Sequence, residues 1–347
     1  MAKRILNAIV LIALFAAPLS ELAFPEGGVL TGERRLAAPF PERPRPRQRE
    51  VKKYFLGVDA FFADRFPLRE RLLGLSSALY GAMDASPNSD YCFRGKEDWL
   101  FTGNNYGGFV DKFQGILPLD RQGLLRLTDF YLERRDAARK RGADFLVIIS
   151  PEKISVYSEL APQYIIPGKV RHIAPLLETL SDAGVRVVDP TDRMIALKKP
   201  GEAFYYRTDT HWNLLGGYVC FELFRETYGL PPLPSFTMES LPPMRGDLVN
   251  VAGYTSFPLH DGDNFEPRWD PPLDVSEDGN DFENPLAPSD KSVWIFADSS
   301  NYSIRPYFIA MFREVRIFEH ADFERMMSSD LPGPDLIIWM TVERGFG

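Results

Sequence analysis

Asp144-Phe145-Leu146-Val147-Ile148-Ile149-Ser150-Pro151 is a continuous apolar run closed by a serine and a proline. A run without polar alternation is the kind that lies in a parallel sheet with both faces buried. Upstream, Leu119 to Arg141 sets Leu124, Leu127, Phe130, Tyr131 and Ala138 among many charges, which predicts an amphipathic helix stopped near Gly142. Downstream, 170–183 reads as a helix ended by Gly184, and Val185-Arg186-Val187-Val188-Asp189 as the next strand. Strands over 293–296, 315–318 and 335–340, with a helix over 302–312, continue the rhythm. This alternation predicts an α/β sandwich with a central, mainly parallel sheet.

The chain has 347 residues, 45% of them hydrophobic, enough for a substantial core in one large or two ordinary domains. Its net charge of -8 argues against a dedicated nucleic-acid binder, whose footprint is a basic face. Cys92 and Cys220 are the only cysteines, so a disulfide-dense scaffold and a four-cysteine zinc site are excluded. The pair fits one bridge in an oxidising compartment or two buried small side chains equally well.

Residues 1–24 read as an export segment: Lys3-Arg4 precede an uncharged apolar run from Ile5 to Leu19. The run is short of the roughly 20 residues of a full span, and its cleavage signal is poor, so a removed signal and an uncleaved anchor both fit. Either way the basic pair stays cytoplasmic and the body is exported, to a periplasm. Residues 25–49, rich in Pro and Arg, read as an extended tether. The catalytic domain is expected over 50–347. It opens with a helical aromatic stripe through Val51, Tyr54, Phe55, Val58, Phe61, Phe62 and Phe66, read as core packing and interrupted at Pro67. A hairpin is expected around Gly95-Lys96, a helix over 214–228, and a long loop or insertion over 231–291.

Two stretches carry chemistry. Tyr205-Tyr206-Arg207-Thr208-Asp209-Thr210-His211-Trp212-Asn213 supplies an acid and an imidazole two positions apart. Val293-Trp294-Ile295-Phe296-Ala297-Asp298-Ser299-Ser300 is an apolar strand ending in Asp-Ser, which puts a hydroxyl at the carboxyl end of a sheet. Together Ser299, His211 and Asp209 form a candidate catalytic triad, with Ser300 as a rival nucleophile. Taken singly each signal is weak, since a serine after a strand commonly caps a helix. The stretches become one site only if the fold brings a late strand beside an earlier loop. His172, His260 and His320 have no ligand-like spacing to Asp209 and His211, so no metal or cofactor is expected. Lys153, Tyr302 and Arg305 are further polar groups without an assigned role.

The sequence resembles the SGNH-hydrolase-like domain of the alginate O-acetyltransferase group, AlgJ and AlgX, from about Glu33 onward. The resemblance is carried by Glu33-Arg34-Arg35-Leu36-Ala37, Arg94-Gly95-Lys96-Glu97-Asp98-Trp99-Leu100-Phe101, Pro151-Glu152-Lys153 and Tyr157-Ser158-Glu159. It continues through Arg207 to Asn213, Gly246-Asp247-Leu248, Asp298-Ser299 and Glu343-Arg344. It implies a triad in the chain order Asp209, His211, Ser299, circularly permuted relative to ordinary SGNH hydrolases. It also implies an exported enzyme that acetylates a secreted polysaccharide beside a membrane-bound O-acyltransferase. The usual serine block reads Gly-Asp-Ser-Phe, whereas Ala297 and Ser300 flank it here. The sequence runs only shortly past Glu343-Arg344, so a layout closer to AlgJ, without the carbohydrate-binding module of AlgX, is expected. The leading expectation is a polysaccharide O-acetyltransferase. The same triad serves an O-acetylesterase, and a non-catalytic polysaccharide or secretion scaffold is the third reading.

Overall fold

A computed structural model describes residues 29–30, 35–36, 38–42, 48–64, 75, 79, 88–254 and 257–346. The chain divides into two compact units: residues 88–252 with 258–347, and the residues before 88 with 253–257. The catalytic domain expected over 50–347 takes in residues of both units.

In the smaller unit, β1 (Val29–Leu30) pairs antiparallel with β2 (Arg35–Leu36), so part of the expected tether forms a short ladder. Helix α1 (Gln48–Asp64) carries the predicted aromatic stripe as far as Phe62, and Phe66 lies outside the described residues. Phe61 is buried under Phe40, whose ring meets it edge-on at 5.1 Å, while Phe55 and Leu56 are exposed. The stripe is core on one side only. Pro67 and the export segment, 1–24, lie outside the described residues; among the described residues no helix is long and apolar enough to cross a membrane.

The larger unit opens with the hairpin β3 (Cys92–Arg94) and β4 (Leu100–Thr102). Its centre is a seven-stranded sheet of β5 (Asp144–Ser150), β6 (Arg186–Val188), β9 (Ser276–Asp278), β10 (Asp281–Glu283), β11 (Ser289–Phe296), β12 (Phe312–Phe318) and β13 (Leu336–Val342). The spatial order is β6-β5-β13-β11-β12-β10-β9. The first five strands run parallel, and β10 and β9 add an antiparallel hairpin at one edge.

The uninterrupted apolar runs follow from burial on both faces. Leu146, Ile148, Val293, Ile295 and Ile338 point to one side, against Trp212, Phe221 and Phe308. Phe145, Val147, Ile149, Trp294 and Ile337 point to the other, against helix α2 (Arg121–Lys140) and helix α3 (Ala174–Asp182). Asp120 caps α2, its carboxylate accepting from Gly123 N–H at 2.6 Å.

Within 231–291, expected as a long loop or insertion, β7 (Phe236–Ser240) pairs with β8 (Phe265–Trp269), a helix spans Asp247–Val251, and the β9–β10 hairpin extends the main sheet. The helix expected over 302–312 is a 3₁₀ turn, Ser299–Ser303, followed by α5 (Arg305–Met311), and Phe312 already begins β12. Of the two arrangements open to Cys92 and Cys220, the structure has the second: both are free and buried.

Candidate active site

Strand β11 delivers Ala297-Asp298 to the carboxyl end of the sheet, and the chain turns at once into the 3₁₀ helix that begins with Ser299. Asp298 shapes this turn. Its Oδ1 accepts from the Ser300 N–H at 2.9 Å and the Ser300 hydroxyl at 2.5 Å, while Oδ2 accepts from Val342 N–H at 3.2 Å. The turn is thereby fastened to the end of β13. Ser299 is left exposed and Ser300 is buried, 5% accessible, with its hydroxyl committed to Asp298.

The second stretch enters from Tyr205, whose backbone bridges that of Trp212 and whose hydroxyl donates to Pro151 O at 2.7 Å. Asn213, fully buried, caps helix α4 (Leu214–Tyr228) by accepting from Gly216 N–H at 2.9 Å. Its amide donates to Ala203 O and Asp263 O, so both donors go into holding the turn. Trp212 then joins the two stretches: its indole Nε1 donates to Ser300 O at 2.7 Å, and the Ser303 hydroxyl donates to Trp212 O at 2.5 Å.

The result is one hydrogen-bonded line. Asp209 Oδ1 lies 2.7 Å from His211 Nδ1, and His211 Nε2 lies 2.9 Å from Ser299 Oγ. The structure therefore unites the three residues singled out from sequence. Asp209 Oδ1 also accepts from His211 N–H at 3.0 Å, and Oδ2 from Asp247 N–H at 3.0 Å. Burial pushes the Asp209 carboxyl up, but the bonds from His211 and the Asp247 N–H outweigh it and hold the group well below the usual range. The bond to Asp209 lifts His211 above its ordinary value, against burial and the charge of Arg344.

Asp247 is the participant whose role sequence left unread. In sequence it stands only as the middle of Gly246-Asp247-Leu248, yet its Oδ1 accepts from Thr210 N–H at 2.8 Å and its Oδ2 from the Thr210 hydroxyl at 2.9 Å. Gly246 makes that approach feasible, because a Cβ there would meet Thr208 O at 2.3 Å and Asp209 Cβ at 2.5 Å. Asp209, His211 and Asp247 present ligating atoms within 4.8 Å of one another, a donor set able to hold a small cation. In this structure both oxygens of each carboxylate and both imidazole nitrogens are engaged in hydrogen bonds, which suits proton transfer.

Behind the site, β13 runs into Glu343-Arg344. Glu343 is fully buried and accepts from Glu152 N–H at 2.9 Å and Arg171 Nε at 2.5 Å; Arg171 also pairs with Asp189. Arg344 binds Glu152 at 2.5 Å and lies over the Tyr106 ring at 5.6 Å. Of the three polar groups without a role, Lys153 is buried beneath the Asp209 turn. Tyr302 is exposed, with the Arg305 guanidinium 5.0 Å from its ring centre.

Residues 92–256 match the family described as SGNH hydrolase-like domain, acetyltransferase AlgX. The "Probable alginate O-acetylase AlgJ" of Pseudomonas syringae pv. tomato is 26% identical over 175 residues, 48% of this chain and 40% of that protein. The protein of the same name from Pseudomonas putida is 27% identical over 231 residues, 61% of this chain and 55% of its own length. The matched part is thus about half the length of these curated relatives. The solved O-acetyltransferase domain of Pseudomonas putida AlgJ superposes with a TM-score of 0.50 at 17% identity, covering 74% of this chain and 91% of that one, a likeness of fold. In sequence and in its mainly parallel sheet, this chain resembles the SGNH-hydrolase-like domain of the AlgJ and AlgX group.

Proposed function

We propose that this chain is an O-acetyltransferase that moves acetyl groups onto hydroxyls of a secreted polysaccharide through an acetyl-Ser299 intermediate. The observation that carries the reading is the unbroken Asp209–His211–Ser299 line ending in an exposed hydroxyl. His211 Nε2 takes the Ser299 proton as Oγ attacks the donor's acetyl carbonyl, and the imidazolium returns that proton to the leaving group. A sugar hydroxyl then gives its proton to His211 as its oxygen attacks the acetyl-serine, and the imidazolium returns the proton to Ser299 as the ester forms. Asp209 keeps the Nδ1–H tautomer and stabilises the imidazolium throughout. The Ser299 N–H, at the start of the 3₁₀ turn, is a donor for the developing oxyanion.

The names of the AlgJ relatives favour an alginate-like acceptor. A membrane-bound O-acyltransferase as acetyl source, a periplasmic location and N-terminal membrane association complete the proposal, on the resemblance and the basic-apolar start of the chain. The test is the purified protein with an activated acetyl ester and oligosaccharides, read by mass spectrometry beside Ser299→Ala. Serine-dependent acetyl-sugar supports the transferase. Serine-dependent acetate across a panel of acceptors, with no acetyl-sugar, replaces it with the esterase. Turnover equal in both proteins moves the reading to the scaffold.

A further inference from the structure

Lys153 is 3% exposed, an expensive place for a charge. Among the described residues no carboxylate lies within ion-pair distance of it. Its ammonium instead gives its donors to three backbone carbonyls: Asp209 O at 2.6 Å, Leu100 O at 2.8 Å and Arg207 O at 3.1 Å. An ammonium has three donors and no acceptor, so this set is complete. Two of the carbonyls belong to the turn that carries Asp209 and His211. The third belongs to β4, whose Leu100 N–H also binds Arg207 O at 2.9 Å. The Trp99 ring lies 5.7 Å from both the Lys153 amine and the Arg207 guanidinium.

Resting on the serine-hydroxyl reading above, we propose that Lys153 is the positioning residue of the acid–imidazole pair: it ties the Asp209–His211 turn to the β3–β4 hairpin and supplies the buried positive charge facing Asp209. An apolar side chain of the same length would leave Leu100 O and Asp209 O without the bonds they make to Lys153, and a buried carbonyl stripped of its partner drives local rearrangement. That rearrangement would fall on the residue whose carboxylate orients His211. Burial lowers the Lys153 amine to about 8, with Asp209 the foremost charge opposing the fall and Asp247 and Asp263 contributing in the same sense. The attraction is mutual, so the ammonium favours the ionised Asp209. This gives a physical reason for two strings of the sequence that carry no chemistry of their own, Pro151-Glu152-Lys153 and Trp99-Leu100-Phe101.

The test compares Lys153→Met, which keeps length but loses donors and charge, with Lys153→Arg, which keeps both. The first readout is the low-field proton resonance of the Asp209–His211 hydrogen bond. It is expected in the unsubstituted protein, lost or shifted upfield in Lys153→Met, and regained in part by Lys153→Arg. The second is Ser299-dependent hydrolysis of an activated acetyl ester, where kcat of Lys153→Met falls on the order of 10- to 100-fold with KM unchanged. A low-field resonance unmoved in a folded Lys153→Met, or an unchanged kcat, overturns the proposal. If neither variant folds, couplings across the hydrogen bonds from the Lys153 nitrogen to the carbonyl carbons of Arg207 and Asp209 decide it in the unsubstituted protein, their absence being the negative result. The resonance does not depend on turnover, so failure of the acetyl-transfer reading is separable from failure of this one.

Discussion

The indole Nε1 of Trp212 donates to the carbonyl oxygen of Ser300 at 2.7 Å, so the residue after the histidine holds the residue after the serine. The hydrogen bond from the Ser303 hydroxyl to Trp212 O closes the same joint from the other side. Trp212→Phe keeps most of the packing and removes the indole donor. It should cost about 1–3 kcal/mol of stability, because the Ser300 carbonyl is left buried without that partner. Denaturant unfolding measures the loss, and kcat for Ser299-dependent turnover should fall with it while KM stays constant.

The pH dependence has a definite sign. His211 acts as a base only when neutral, and its bond to Asp209 raises its pKa, so turnover should rise with pH along a limb above the ordinary imidazole value. In Asp209→Asn that limb should move down and the plateau should drop on the order of 10³-fold or more, through loss of the correct tautomer. Stability follows the same linkage in two windows. The His211 contribution is fully present below the ordinary imidazole value and fades as pH climbs through the raised folded value. The Asp209 contribution is in place above the ordinary carboxylate range and is lost as pH falls through the lowered folded value. Unfolding free energies of the unsubstituted protein and Asp209→Asn across pH check both.

Several of these relationships were legible in the sequence. β5, β11 and β13 were visible because both their faces are buried, which makes the residues continuously apolar. Helix α4 was visible over 214–228, and the structure adds Asn213 as its cap. β9, whose Ser276, Glu277 and Asp278 are all exposed, carries no pattern for a reader to find. The choice between Ser299 and Ser300 lies in the turn that Asp298 imposes, and two adjacent hydroxyls look alike without it. The Asp247 and Glu343 carboxylates act over 37 and 191 residues on backbone N–H groups, a contact that leaves no spacing rule.

Ser299 and Ser300 should separate cleanly. Ser299→Ala should reduce turnover to background with stability unchanged, since its hydroxyl is exposed and bonds only to His211 among the described residues. Ser300→Ala should retain turnover and lose about 1 kcal/mol, the net worth of its bond to Asp298. The opposite pattern in the same ester assay would move the nucleophile by one residue.

Asp247 should matter to rate more than to stability. Asp247→Ala frees Thr210 from both its bonds to the carboxylate while leaving the backbone bond to Asp209 in place. The Asp-x-His turn loses one wall, and kcat should fall on the order of tenfold with a small change in unfolding free energy. Stripping divalent cations with EDTA should leave the unsubstituted enzyme's rate intact. A rate that collapses with EDTA and returns with one added metal would instead assign Asp209, His211 and Asp247 to a cation.

Gly217 gives the strongest test of how the two stretches are held together. It sits in the first turns of α4, and a Cβ there would come 1.9 Å from Ser303 O and 2.4 Å from the Ser303 carbonyl carbon. Two effects of Gly217→Ala oppose each other. Helix propensity favours alanine by about 1 kcal/mol. The overlap is with backbone, which cannot swing aside like a long side chain, and relieving it displaces helix or turn at about 1–3 kcal/mol or more. The clash should win, so the variant is expected to be less stable despite its better helix former. Because the Ser303 hydroxyl binds Trp212 O, the displacement is transmitted to the His211–Ser299 contact. Turnover should therefore fall although no triad atom is altered, and a second substitution, Ser303→Gly, should not restore it, since the obstruction is the carbonyl rather than the side chain.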